Sequence, residues 1–189
     1  GRFVRETLLA RLTESLGIET LAPMHRIDRD TAGLVLFTVQ PHTRDAYQRL
    51  FRERSVEKYY EAIAPFRADL TLPLTRKSRL VESATFMQMR EIDGAPNAQT
   101  QIDLVERHGE FARYALRPLT GQKHQLRVHM SALGIPICND PIYPTLRPAA
   151  PLDDWSRPLK LLAKQIVFPD PLTGESRVYE SAQSLKWDV

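Results

Sequence analysis

Apolar positions change their period several times along the chain, and each change marks a candidate element. Leu8, Leu9, Leu12 and Leu16 recur at helical spacing and Gly17 follows, which predicts an amphipathic helix over residues 6–16 stopped by a glycine. Ala46, Tyr47, Leu50 and Phe51 share one face of a second predicted helix over residues 43–54, with Arg44, Arg49, Arg52 and Arg54 around the others. Between them, residues 33–39 (GLVLFTV) form an apolar, partly β-branched run, the pattern of a buried strand. Residues 56–64, 84–91, 100–106 and 111–119 are further strand candidates. Asp93-Gly94 and His108-Gly109 supply turns after two of these, so an antiparallel meander is expected.

Leu126, Met130 and Leu133 at i, i+4 and i+7 predict a third helix, opened by Thr120-Gly121 and ended by Gly134. The Pro-rich stretch 136–158 reads as loop with short extended pieces. A last pair of strands near 159–168 and 177–180 flanks the turn Asp170-Pro171-Leu172-Thr173-Gly174. Strands outnumber helices and hairpins dominate, so the expected fold is α+β, a mixed, mainly antiparallel β-sheet flanked by helices. No repeat, low-complexity segment or linker interrupts it, and residues 1–189 read as a single domain.

Composition narrows the function classes only partly. With 189 residues, 42% of them hydrophobic, the chain can build one sizeable core. Its 26 Lys and Arg against 23 Asp and Glu give 26 − 23 = +3, which permits a polyanionic partner without demanding one. Of these cations 20 are Arg and 6 are Lys, and the planar guanidinium suits phosphate and base-stacking contacts. Residues 111–139 carry Arg113, Arg117, Lys123 and Arg127 and no acid; a local positive field for nucleic acid and an ordinary basic face are equal readings of that stretch. The single Cys138 excludes an intramolecular disulfide and a CxxC metal site, which points to a reducing compartment. No apolar run approaches the roughly 18 residues that span a bilayer. A cytoplasmic location is expected, as is truncation from a longer chain, because Gly1 is an unusual start.

Three polar clusters could carry chemistry. The densest, residues 25–33 (HRIDRDTAG), stands directly before the apolar run; a carboxylate held there beside arginine stays ionised even when partly desolvated, while a plain turn at Asp30-Thr31 is the bland alternative. The second is residues 122–129 (QKHQLRVH). Its His124 and His129 lie about 140° apart on a helix, so one metal ion cannot readily bind both; hydrogen-bonded packing at the helix surface is the alternative. The third is residues 56–62 (VEKYYEA), where a strand would put Lys58 and Tyr60 on one face and Tyr59 on the other.

Taken in order, HRIDRDTAGLVLFT, VEKYYEAI, LTGQKHQLRVHMSALGIPICND and LLAKQIVFPDPLTGE resemble the RluA family of pseudouridine synthases. The four blocks reach from His25 to Glu175 and cover most of the chain. The resemblance implies the pseudouridine synthase catalytic-domain fold, without an S4-like domain, and conversion of uridine to pseudouridine in structured RNA, rRNA or tRNA. It implies no cofactor, no metal and no membrane, and a monomer is expected. Asp28 matches the family's catalytic aspartate, and Arg127 the arginine that pairs with it. Tyr60 matches the tyrosine that packs on the uracil and assists proton removal from C5, and Arg26 the arginine that enters the RNA stack as the uridine flips out. His25, Thr31 and Gly33 of the first block and Gln122, Lys123, His124 and Gln125 of the third are implied substrate-binding residues.

The chain departs from the family pattern in places. Ala32 stands for a common Ser, Ile27 for Leu, and Gln122-Lys123 where an arginine is usual after the glycine, which removes a bidentate phosphate contact. Asn139 and Pro144 stand where glycines are common, Leu162 where His is common, and no Lys-Pro-x-Gly segment precedes His25. These departures keep open a second reading, a catalytically inactive RNA-binding module of the same fold. A third is a hydrolase using Asp28 and Asp30 as a carboxylate pair.

Overall fold

A computed structural model describes residues 7–85, 87–148, 154 and 156–189. The chain groups into two compact units, each assembled from separated segments: Gly1–Ile27, Val35–Val56 and Val167–Val178 in the first, Asp28–Leu34, Glu57–Ile166 and Tyr179–Val189 in the second.

The first unit holds α1 (Leu8–Leu16) and α2 (Arg44–Arg52). Thr7 caps α1 by accepting the Ala10 N–H at 3.2 Å, and Gly17, at φ 65°, ends it as the leucine spacing predicts. A short 3₁₀ turn, Pro41–Thr43, leads into α2. The helix stops two residues earlier than expected, where Arg54 turns left-handed at φ 59°. The predicted turn after Phe168 forms around Asp170, whose carboxylate accepts from Leu172 N–H (2.9 Å), Arg177 Nε (3.1 Å) and the Tyr47 hydroxyl (3.2 Å).

The single buried strand expected over 33–39 does not form. Its ends are two separate short strands, β2 (Ala32–Gly33) in the second unit and β3 (Phe37–Thr38) in the first, where β3 pairs with β1 (Ala22–Pro23). Residues 34–36 between them are only half-buried. Gly33 turns the chain at φ 103°, and the Leu36 N–H is taken by the His25 ring instead of a strand partner. Apolar content alone therefore overstated the regularity of this run.

The second unit carries the large sheet: β4 (Glu57–Pro65), β5 (Leu74–Glu82), β6 (Met89–Ile92), β7 (Ala98–His108) and β8 (Phe111–Pro118), then α3 (Gln125–Ala132), then β9 (Leu161–Pro169) and β10 (Ser176–Glu180). The unit boundary falls inside β9 and β10. The strand order is β10-β9-β4-β8-β7-β5-β6, with β2 added in parallel to β9. It is mixed and mainly antiparallel, as predicted, but no simple meander: β7 returns to pair with β5, which leaves β6 at the edge. Two elements account for the difference. β5 escapes a hydrophobicity reading because its run TRKSRLVE is polar, and of the expected strand 84–91 the described residues before Met89 are not strand, leaving Met89–Ile92.

β8 alternates as a strand with one face inward, burying Ala112, Tyr114 and Leu116, while Ala62, Ile63 and Ala64 of β4 are buried consecutively because both faces are covered. Leu126 and Met130 of α3 pack on this core. A second cluster joins Leu80, Met89, Ala98, Val128, Ile142 and Tyr143. The helix starts at Gln125, later than Thr120-Gly121 predicted, because His124 is left-handed at φ 54°.

Every residue of α3 from Gln125 to Met130 is buried, which corrects the expectation of surface histidines. His129 is wholly enclosed, with Ser78 Oγ 3.1 Å from Nε2 and Thr100 Oγ1 2.9 Å from Nδ1. Burial pulls its pKa down to about 4, so the folded state holds the ring neutral. The unfolded chain, with the ordinary value near 6.5, takes up a proton first as pH falls. Stability is therefore complete above about pH 6.5 and lost progressively toward pH 4, by up to about 3 kcal/mol from this group. We expect chemical denaturation to show a loss of midpoint between pH 7 and 4.5 that is clearly smaller in His129→Gln; parallel curves for the two proteins would contradict this.

The acid-free stretch 111–139 also looks different once folded. Arg113 meets Glu61 (2.7 Å) and Glu106 (2.8 Å), Arg117 meets Asp103 (3.7 Å), Lys123 lies 4.0 Å from Glu82, and Arg127 is buried against Asp140. Acids from other segments thus partner each of its cations, and the reading of an unopposed positive field is withdrawn.

Candidate active site

Asp28 opens a turn at the start of the second unit. The Thr31 N–H donates to its carbonyl at 3.0 Å, and the chain then enters β2. Asp30 is spent on its neighbour, accepting from Arg29 Nε at 2.9 Å. The turn expected at Asp30-Thr31 is therefore present, and the extended geometry needed for an Asp28–Asp30 carboxylate pair is not.

Gly33 fixes where that turn sits. Ala32 and Gly33 lie in register with Leu162 and Ala163 of β9, and Leu34 N–H donates to the Ala163 carbonyl at 3.1 Å. A Cβ on Gly33 would overlap that carbonyl, and the φ of 103° is itself unfavourable for any side chain. Gly33 thus holds the backbone that presents Asp28 and offers no side chain to a substrate. Gly33→Ala is expected to cost about 1–3 kcal/mol in denaturant unfolding and to reduce activity through displacement of Asp28; wild-type stability would overturn this account.

Arg127, on the buried face of α3, gives Asp140 two short bonds, Nε to Oδ2 at 2.8 Å and Nη2 to Oδ1 at 2.6 Å. The hydrogen bonds of Arg127 thus go to Asp140, and its expected pairing with Asp28 is one of charge. Burial works against the Arg127 charge, but the Asp140 bonds, aided by the charges of Asp28 and Asp30, raise its pKa overall. Asp140 Oδ1 also accepts the Ile142 and Tyr143 N–H groups at 2.8 and 3.0 Å, so the buried carboxylate is fully engaged. Arg127 is thus a buried cation clamped by Asp140, with the charge of Asp28 acting on it.

Tyr60, on β4, packs half-buried against the main core. Burial, and secondarily the charge of Asp28, push its hydroxyl up to about 12, so it keeps its proton at neutral pH. Tyr59 takes the other face as the strand period requires, bonding Glu57 at 2.5 Å with Arg117 over its ring. The charge of Asp28 is also felt at His124 and at Tyr143, so Tyr60, His124, Arg127 and Tyr143 form its electrostatic surroundings.

The remaining expected residues divide. Arg26 is exposed two residues before Asp28. His25 is occupied by the protein: Nε2 accepts the Leu36 N–H at 3.1 Å, Nδ1 lies 3.2 Å from the Arg26 carbonyl, and the ring stacks on Phe51 at 4.9 Å. It anchors its segment in the first unit. Gln125 is equally committed; its Oε1 accepts from the Thr120 hydroxyl (2.6 Å) and Gln122 N–H (3.1 Å), while Nε2 donates to Gln99 O and Thr100 Oγ1, both at 2.9 Å. It holds the loop that carries Gln122 and Lys123, both half-buried. No group of three or more His, Cys, Asp or Glu among the described residues could hold a metal ion, and no described helix is long and apolar enough to cross a membrane.

Asp140 and Tyr143 were missed from the sequence. The available signal was an acid set in the apolar run Ile135-Pro136-Ile137-Cys138-Asn139-Asp140-Pro141-Ile142, which needs a buried cation once that run packs.

Residues 2–132 match the family model described as RNA pseudouridylate synthase. The chain is 33% identical over 178 residues to the dual-specificity RNA pseudouridine synthase RluA of Pasteurella multocida, covering 90% of this chain and 76% of that protein. It is 32% identical over 148 residues to human pseudouridylate synthase RPUSD2, covering 76% of this chain but only 26% of the longer human protein. The solved human RNA pseudouridylate synthase domain containing 1 shares the fold, with a TM-score of 0.77 at 23% identity over 95% of this chain and 75% of that one. With the four ordered blocks and the Asp28 surroundings in place, the chain belongs to the RluA family of RNA pseudouridine synthases, which are isomerases.

Proposed function

We propose that this protein isomerises uridine to pseudouridine in structured RNA, rRNA or tRNA, with Asp28 as the catalytic carboxylate. The observation that carries the reading is the Asp28 setting: one half-buried acid, on the turn that Gly33 registers against β9, whose charge reaches Tyr60 of β4, His124 at the start of α3, Arg127 within it, and Tyr143. Isomerisation breaks the bond between the ribose and N1, turns the base, and rejoins it through C5. The C5 proton is lost, N1 gains one, and nothing else is consumed. Asp28 serves as nucleophile or as base at C2′, and the charge of Asp28 acts on the clamped Arg127 guanidinium.

The uridine must leave its stack to reach Asp28. Arg26, exposed and planar, fills the gap, and Tyr60 offers the extruded base an aromatic face. Burial first, and the Asp28 charge second, hold the Tyr60 hydroxyl protonated at about 12, so in the resting site its part is to pack on the base. Thr31, Gln122, Lys123 and His124 complete the contacts to substrate, whereas His25, Gly33 and Gln125 serve by placing their neighbours. A monomer in a reducing, cytoplasmic setting is part of this reading.

Release of tritium from unmodified RNA carrying [5-³H]uridine tests it directly. Release in proportion to pseudouridine formed is expected. Salt-dependent RNA binding with no release would overturn the enzyme reading in favour of an inactive binding module of the same fold.

A further inference from the structure

His124 begins α3 with a buried ring, and its Nδ1 lies 3.0 Å from the Tyr143 hydroxyl. The oxygen of that hydroxyl already accepts the Met89 N–H at 2.7 Å. A phenol has one proton to give, and His124 Nδ1 is its acceptor among the described residues. Were Nδ1 protonated, two donors would converge on the Tyr143 oxygen and its own proton would have no acceptor in a buried setting. With the phenol as donor, Nδ1 carries a lone pair and the proton of the neutral imidazole sits on Nε2.

The partners are held firmly. The two rings meet edge-on at 5.7 Å, the Arg127 guanidinium lies 5.5 Å over the Tyr143 ring, and Asp140 takes the Tyr143 N–H. The clamp that fixes Arg127 therefore fixes Tyr143 as well. Burial favours the uncharged form of both groups, raising Tyr143 to about 12 and lowering His124 against the opposing pull of Asp28.

We infer that Tyr143 is a positioning residue that locks His124 as the Nε2–H tautomer, so that the substrate contact proposed for His124 is made by a fixed N–H donor to an oxygen of the bound uridine. The inference deepens the proposed isomerase reading and rests on it for the identity of the acceptor. With the opposite tautomer, Nε2 would turn a lone pair toward that oxygen and repel it.

Two measurements test this. Two-bond ¹H–¹⁵N correlation spectra of uniformly labelled protein, with His124 assigned through His124→Gln, should show a single Nε2–H tautomer at neutral pH, and Tyr143→Phe should lose that uniqueness. In tritium release, Tyr143→Phe should lower kcat/KM about tenfold, the scale of one hydrogen bond. His124→Ala should lose at least as much, the double variant Tyr143→Phe, His124→Ala no more than His124→Ala alone, and His124→Gln, which keeps an N–H donor, should retain more than the alanine. An Nδ1–H tautomer in the wild type, wild-type turnover by Tyr143→Phe, or additive losses in the double variant would overturn the inference. Should Tyr143→Phe fail to fold, the wild-type tautomer and the order of the two His124 variants decide it. Absence of release by the wild type would instead strike the isomerase reading, and with it the uridine acceptor, while the spectrum still reports on the Tyr143–His124 lock.

Discussion

Asp28→Asn is expected to lower tritium release by about 10³-fold or more while leaving thermal stability and RNA binding close to wild type. The carboxylate is half-buried, and the structural work of this residue is done by its backbone carbonyl, which accepts the Thr31 N–H. Asparagine keeps that backbone and nearly the same volume, so the β2 register with β9 is preserved. It removes the nucleophile or base and the negative charge that Arg127 faces. Substantial turnover by a correctly folded Asp28→Asn protein would sink the mechanism, because the two acids nearby are already committed, Asp30 to Arg29 and Asp140 to Arg127. Loss of activity with loss of fold would point instead to a structural role, and a melting curve beside the assay separates the two.

Asp140→Ala should produce the largest loss of stability among single changes around the site. It strips both hydrogen bonds from a guanidinium that is 1% exposed and also removes the acceptor of the Ile142 and Tyr143 N–H groups. An uncompensated buried charge costs about 3–5 kcal/mol, or roughly 10 °C in Tm for a chain of this size. The same physics predicts an asymmetry. Replacing both partners with apolar groups, Arg127→Met with Asp140→Leu, removes the buried charge instead of orphaning it, so this double variant should melt well above Asp140→Ala yet remain inactive. A double variant no more stable than Asp140→Ala would show that the two backbone bonds at Asp140, and not the ion pair, carry the effect.

Much of the fold was legible because local patterns and tertiary demand agreed. Leucine spacing with Gly17 marked α1, the run after the His108-Gly109 turn marked β8, and Asp170 with Gly174 marked the last turn. Legibility failed where they diverged. The GLVLFTV run reads as one strand but is divided between two units, because Gly33 redirects the chain and His25 captures the Leu36 amide. β5 reads as surface because its buried face is minimal; its pattern shows buried only Leu80 among nine residues, and its place between β7 and β6 is set by pairing.

The same division runs through the site. The sequence alone determined the chemical inventory: a carboxylate in HRID, two tyrosines on opposite strand faces in EKYY, an arginine inside the third helix, and no cysteine cluster for a metal. Such residue types and short spacings are local properties, readable wherever a short motif carries its own geometry. Which charges face each other was decided only in three dimensions. Arg127 and Asp140 lie 13 positions apart and Tyr143 and Met89 54 apart, and neither pairing has a periodic signature. Both follow from burial: once Ile137, Ile142 and α3 are packed inside, every polar atom carried in with them must find a partner there. The partners that satisfy this requirement hold Arg127 and His124 around Asp28.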